Sequence, residues 1–353
     1  MFGLGFIFGG QRMVQNEPGN FIGPIAFVFG HIIDFIFNIV YNFTTYHSLG
    51  LSIILMTLIV RALMIPLAFK QQKSMVAMQR LNPQMQKIRK KYPNKDVESQ
   101  QKMNAEIQKL YKDNKVNPLG GCLPMFIQMP LFFGLSFIMN QSYLYVSRLG
   151  NLYTQISTYI INEVPHFTNI MVPLATPRVP QRMLDAREIN ISYPDQMNRI
   201  LNVFEPSDWN TMFQQIPDQY LPPLLYLYEQ KLAIENFFGL ALTEVTGFGW
   251  PGIVIPILAV TTAIVTSKLT MAMSMASATD DRMKQQQKMM MVIMPVMMGV
   301  MTVGLPTGVG IFWITTSVFQ IAQQSVFNHR SGIGLLGTSK SEAKIEAKIE
   351  AKS

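Results

Sequence analysis

Five apolar runs, separated by polar or charged sequence, dominate the pattern of this chain. They are "SLGLSIILMTLIVRALMIPLAF" (48–69), "LPMFIQMPLFFGLSFIM" (123–139), "WPGIVIPILAVTTAIVTS" (250–267), "MMMVIMPVMMGVMTVGL" (289–305) and "GVGIFWITTSVFQIA" (308–322). Each comes close to the roughly 20 apolar residues needed to cross a bilayer as a helix. With their flanks they predict spans over 48–69, 117–146, 250–275, 289–306 and 307–327. A sixth apolar stretch, 21–46, differs because His31, Asp34, Asn38, Asn42 and Thr45 recur at helical spacing and draw a narrow polar stripe. A helix lying in the outer interface accounts for that stripe better than a sixth span, which makes 1–47 an outer amphipathic region.

Composition agrees with a membrane. Hydrophobic residues are 49% of the 353 and charged residues 14%, against roughly a quarter charged in soluble domains. The distribution of charge then sets orientation, because loops rich in Lys and Arg stay in the cytoplasm. Residues 70–116 hold 12 Lys+Arg against 4 Asp+Glu, 268–288 hold 4 against 2, and the tail from 328 holds 5 against 3. Residues 147–250 hold 6 against 10, and 1–47 hold 1 against 2. This alternation predicts a basic cytoplasmic segment 70–116, an extended extracytoplasmic segment 147–249, a cytoplasmic loop 276–288 and a cytoplasmic tail 328–353. The net charge of +8 follows from topology, and no nucleic acid is needed to explain it.

The segment 70–116 reads as a helical hairpin turning at "YPNKD", where Pro93 cannot continue a helix and Asp96 can cap the next. Its first arm carries Met75, Met78, Leu81, Met85 and Ile88 near one face, bends at Pro83 and ends at Tyr92. Two readings stay open: a solvated helix pair packed on itself, or an adhesive arm facing anionic lipid, ribosome or emerging chain. Residues 147–249 show no repeat and no assignable chemistry, though 224–245 could form helix resting on the membrane. The "EAKI" repeat of the tail predicts a weak, solvated helix, with a ribosome contact as the alternative.

Arg61 stands in the middle of the first span. An arginine there costs about 2.5 to 3.5 kcal/mol on the insertion scale, which the surrounding Leu and Ile offset. It lies nine residues from Lys70, roughly 13 Å along a helix, too deep for easy snorkelling. Thr57 is one turn earlier on the same face, and Gln128 sits at similar depth in the second span. In the fifth, Trp313, Thr316, Gln320 and Gln324 form a polar line. None of the five spans contains Asp or Glu. Arg61 is either bonded to carbonyls and amides in a closed bundle or stands in a hydrated cavity awaiting a negative visitor.

Several chemistries are excluded. His31, His47, His166 and His329 make no zinc pattern, and P-loop and GxSxG motifs are absent, so neither catalysis nor a metal or cofactor is expected. Cys122 reads as a packing residue, and the N-terminus shows neither a cleavable signal nor a lipid-accepting cysteine. Methionines cluster at 268–277 and 288–301, either as core filler or as a surface for varied apolar partners.

Taken together, "TLIVRALMIPL" (57–67), "LNPQMQKIRKKY" (81–92), "LYKDNKVNPLGGCLPMFIQMPLFFGL" (110–135), "WPGIVIPIL" (250–258) and the run from Gln285 to Gln324 resemble the YidC/Oxa/Alb membrane protein insertases. The resemblance implies an all-α polytopic membrane protein: five transmembrane helices, a cytoplasmic hairpin, and a hydrophilic groove open to cytoplasm and lipid but closed outside. It implies that Arg61 receives the acidic end of a substrate, with Thr57 and Trp313 at matching groove positions. It further implies a multi-pass protein of the bacterial plasma membrane with a cytoplasmic C-terminus. The expected partners are nascent membrane proteins, the ribosome, the Sec translocon and lipid. The chain resembles the shorter Gram-positive type, but its segment 147–249 is much longer than the connection usual there. A small-solute transporter or channel is the alternative, although neither an inverted repeat nor a mid-membrane carboxylate supports it.

Overall fold

Apolar sequence forms helix almost everywhere, even across Pro66, Pro130 and Pro295, as a computed structural model of the chain shows. It describes residues 22–92, 96–114, 116, 123–179, 190–276 and 281–330. Cys122, the "YPNKD" turn at 93–95 and the repeat tail lie outside the described residues. Contacts group the chain into two units, one comprising 1–57, 130–257 and 299–313, the other 58–129, 258–298 and 314–353.

In the first unit, α1 (Ile22–Phe43) buries Ala26, Ile33, Ile36 and Phe37 and exposes Phe27, Val28, Phe35, Ile39 and Phe43. Two members of its polar stripe, Asp34 and Asn38, serve the segment that begins at Ser147. Asp34 accepts from the Ser147 backbone N–H and from its hydroxyl, both at 2.8 Å, placing a carboxylate at the positive end of α7 (Ser147–Glu163). Arg148 lies 4.2 Å over the Tyr41 ring and donates to Asn38.

The segment 147–249 has its own core. After α7 come α8 (Phe167–Ala175), α9 (Pro194–Leu201), α10 (Pro206–Gln215) and α11 (Leu221–Glu235). Leu149, Ile156 and Ile160 of α7 are buried, as are Met197 and Ile200 of α9 and Leu224 of α11. Trp209 is fully enclosed, its ring 5.7 Å from Phe204 and 4.7 Å from Tyr228. The expected helix over 224–245 stops at Glu235. Asn236–Phe237 (β1) and Leu240–Ala241 (β2) pair antiparallel around Phe238 and Gly239, both at positive φ, as a two-residue hairpin requires. The chain then runs along the turn at 303–308. Thr246 N–H donates to Leu305 O (3.0 Å), Thr307 N–H to Glu244 O (2.8 Å) and Gly308 N–H to Leu242 O (2.9 Å).

Of the long apolar helices, α2 (Ser48–Arg80) is the clearest. It exposes Leu51, Leu55, Leu58, Ile59 and Leu63 while burying Ile53 and Met56. A helix apolar all round is what a lipid surround requires. At 33 residues it is about 50 Å long, more than a roughly 30 Å hydrocarbon core, so the first hairpin arm begins as its continuation. Among the described residues, Gly23–Phe43 and Ser48–Ser74 are long and apolar enough to cross a membrane, and Val254–Thr270 and Val292–Val303 are shorter apolar stretches. The remaining helices are α5 (Leu123–Asn140), α6 (Ser142–Tyr145), α12 (Val254–Ala276), α13 (Asp281–Val303) and α14 (Thr307–Arg330). The second methionine cluster is not buried filler where its side chains are described: Met289, Met294, Met297 and Met301 of α13 are exposed.

In the second unit, α2 breaks at Leu81 and α3 (Asn82–Lys91) restarts with Pro83 in its first turn, where a missing N–H costs nothing. Asp96 caps α4 (Val97–Asp113) by accepting from Ser99 N–H at 2.9 Å, and this bond holds its carboxyl below the usual range. Met85 is buried and accepts from the Tyr111 hydroxyl, and Lys91 pairs with Glu106 at 3.0 Å. Lys91 holds the Glu106 carboxyl below its ordinary value, and Glu106 raises the lysine. Part of the apolar face that one of the two readings makes adhesive is therefore used inside the hairpin.

Candidate functional site

Arg61 is half-buried on α2, and its Nη2 donates to Gln128 Oε1 of α5, a neutral amide 67 residues away. Among the described residues the ion pairs are Lys91–Glu106, Lys102–Glu98, Arg178 with Glu205 and with Asp208, and Lys231–Glu235. None reaches Arg61, so among the described residues its charge is hydrogen-bonded but not neutralised. Those residues also lack any group of three or more His, Cys, Asp or Glu that could hold a metal ion.

The other predicted positions differ in what their polar atoms do. Thr57 is buried and its hydroxyl donates back to Ile53 O at 2.6 Å, a bond that satisfies it within its own helix. Trp313 is half-buried and meets Phe132 edge-to-face at 5.2 Å. Thr316 is buried with its hydroxyl unpartnered among the described groups. Gln320, one turn on, is half-buried. At the hairpin, Met75 lies in α2 with its side chain outside the described atoms. Met78 is half-buried and Pro83 exposed. Tyr92 ends α3, its ring 5.3 Å from Lys91 Nζ.

Two polar arrangements escaped the sequence reading. Gln72 donates to Gln324 Oε1, whose own amide donates to the buried Asn328 at 2.8 Å. The i, i+4 spacing of Gln324 and Asn328, together with the paired glutamines at 71–72, was the available signal. On α12, Thr262, Thr266 and Thr270 repeat every four residues, and each hydroxyl returns to a carbonyl one turn back. In an apolar surround a hydroxyl needs such an internal acceptor.

The long helix α2, apolar around its length and bearing an arginine with no carboxylate partner among the described residues, is what a helical membrane protein would present. The chain belongs to the 60Kd inner membrane protein family, whose model matches residues 39–332. It is similar to membrane protein insertase YidC 1 of Lactococcus lactis subsp. lactis strain IL1403, with 42% identity over 127 residues, 36% of this chain and 44% of that protein. It is also similar to membrane protein insertase YidC 2 of Bacillus anthracis, with 52% identity over 84 residues, 24% of this chain and 33% of that one. Membrane protein insertase MisCA of Bacillus subtilis strain 168 is 51% identical over 85 residues, again 24% and 33%. The matches thus span between a third and a half of these relatives' lengths.

Proposed function

We propose that the protein is a membrane protein insertase and chaperone that moves nascent transmembrane segments from the cytoplasm into the bilayer. Its five-span core crosses the bacterial plasma membrane with the hairpin and C-terminus in the cytoplasm, and α1 lies in the outer interface. Arg61, Thr57, Gln128, Trp313, Thr316 and Gln320 belong to a hydrated groove. The acidic outer tail of a substrate enters beside Arg61, and the apolar segment then slides into lipid. Met75, Met78, Pro83 and Tyr92 belong to the hairpin that first meets the chain emerging from the ribosome, with the Sec translocon as a partner. The names of the relatives support the activity. The observation that carries the mechanism is the bond from Arg61 to neutral Gln128, with no carboxylate pair to Arg61 among the described residues.

The energetics need no nucleotide. Moving apolar surface from water into lipid releases about 25 cal/mol per Å², enough to drive the slide. The groove lowers what opposes it, the transfer of a charged tail, by giving that charge water and a fixed cation. Vesicles containing this protein alone provide the test. Arg61→Ala removes insertion of a substrate with an acidic tail, while Arg61→Lys retains it if charge alone matters. Full insertion by Arg61→Ala would remove the electrostatic step from the mechanism.

A further inference from the structure

Three large aromatic side chains of the first unit point away from protein: Phe238 is 76% exposed, Phe248 67% and Trp250 84%. A soluble surface rarely displays such a group without a partner. Between Asn236 and Ile253 only Glu244 is charged, although the segment 147–250 around it is rich in acidic residues.

The first of these rings is held in place by its backbone and neighbours. Phe238 has φ +52, a left-handed conformation that is an outlier for a bulky residue and persists only where the surroundings impose it. The imposition is visible. His47 stacks on the Phe238 ring at 4.7 Å and meets Phe237 edge-on at 5.7 Å. Its N–H donates to Ala233 O at 3.2 Å, and its ring bonds Asn236 O at 2.8 Å. His47 immediately precedes α2, and the Phe237 ring fills the space a side chain at Gly50 would need. Phe238 is thereby fixed at the start of one long apolar helix. Trp250 lies four residues before another, α12.

We infer that Phe238, Phe248 and Trp250 form a lipid-anchoring patch that seats the segment 147–249 in the headgroup interface of the outer leaflet. Two features of the patch select lipid over a protein partner. Phe238 stacks on the residue that precedes α2 and Trp250 stands four residues before α12, and the near absence of charge around them suits the depth at which aromatic belts sit. The inference rests on α2 and α12 crossing the membrane and is independent of the groove. The anchor holds the added outer segment to the bilayer beside the entry points of both helices.

The test uses the full chain with Cys122→Ser, then Phe238→Cys, Phe248→Cys or Trp250→Cys singly, each carrying a nitroxide and reconstituted in phosphatidylcholine–phosphatidylglycerol vesicles. Relaxation by oxygen, which concentrates in lipid, is compared with relaxation by a water-soluble nickel chelate. Oxygen collisions exceed nickel collisions at all three positions if the patch is seated in lipid. Nickel-dominated relaxation at 238 and 248 overturns the inference, and so does lipid contact confined to 250, which would reflect only the end of α12. No substrate is needed, so this outcome and that of the insertion assay are read separately.

Discussion

Buried charge is treated in opposite ways in two parts of this molecule. In the segment 147–249, Lys231 and Glu235 are both nearly inaccessible and lie 2.8 Å apart. Glu235 also accepts from Thr243 at 3.1 Å and from Tyr153 at 3.4 Å, and the Trp209 and Tyr228 rings flank the ammonium. Arg178 is likewise enclosed, held by Glu205 at 3.0 Å and Asp208 at 2.6 Å. Burial alone would lower its pKa, but the two carboxylates outweigh it and raise the value. Among the described residues, the partner of Arg61 on the apolar helix α2 is an amide. The enclosed charges of segment 147–249 come with countercharges, and Arg61 has none among the described residues.

The largest expected effect is in the paired region. Lys231→Met leaves the Glu235 carboxylate buried and uncompensated, which costs about 3–5 kcal/mol. Chemical denaturation followed through Trp209 emission, in a chain carrying Trp250→Phe and Trp313→Phe, measures it. Adding Glu235→Gln recovers much of the loss, because a neutral amide oxygen still accepts from Thr243. A Lys231→Met protein as stable as the original would show that this pair is incidental. Next comes Arg178→Met, at about 2 kcal/mol. The loss is smaller because Glu205 is partly exposed and Asp208 keeps its bond to the Glu205 N–H at 2.8 Å.

The contrast can also be erased from the other side. Gln128→Glu gives Arg61 the resident countercharge that Lys231 and Arg178 already have. An acidic substrate tail must then displace a carboxylate, and insertion into vesicles falls about tenfold, equivalent to ~1.4 kcal/mol. Substrates with neutral tails are unaffected. Undiminished insertion of the acidic-tailed substrate would mean that a free positive charge on α2 is irrelevant to entry.

The two regions also differed in how far sequence could reach. A helix in lipid needs a continuous apolar run, and one arginine within it is conspicuous. Counting residues inward from the ends of two spans put Arg61 and Gln128 at one depth, and these two side chains meet. The Asp96 cap was legible for the same reason, since its bond is local. The segment 147–249 depends on distant contacts. Lys231 and Glu235 stand four apart, the spacing of an ordinary solvated pair, and only the arrival of Tyr153 and Trp209 buries them. The α1 stripe looked like a water-facing surface, whereas Asp34 caps a helix 113 residues away. The Thr57 hydroxyl, assigned to a groove by position, bonds its own backbone. Helical spacing locates a side chain without showing where its polar atom turns.

Tyr228 gives the smallest effect and the most specific one. Burial pushes its phenol up to about 12, and the charges of Glu244 and Glu235 push the same way. An unfolded tyrosine titrates near pH ~10, so the folded state holds the proton more tightly. The stabilisation is complete below pH 10 and is lost as pH rises through about 12, where a phenolate would stand near Glu244 and near Glu235, the partner of Lys231. Tyr228→Phe keeps the ring that meets Trp209 at 4.7 Å and Phe213 at 5.1 Å and removes the proton. Below pH 10 the two proteins should differ by less than about 1 kcal/mol, within the usual range for a lost hydroxyl. Between pH 10 and 12, the stability reported by Trp209 falls more steeply in the original than in the variant. Parallel loss in both would place the alkaline sensitivity elsewhere and show that the charge balance around Lys231 does not extend to this ring.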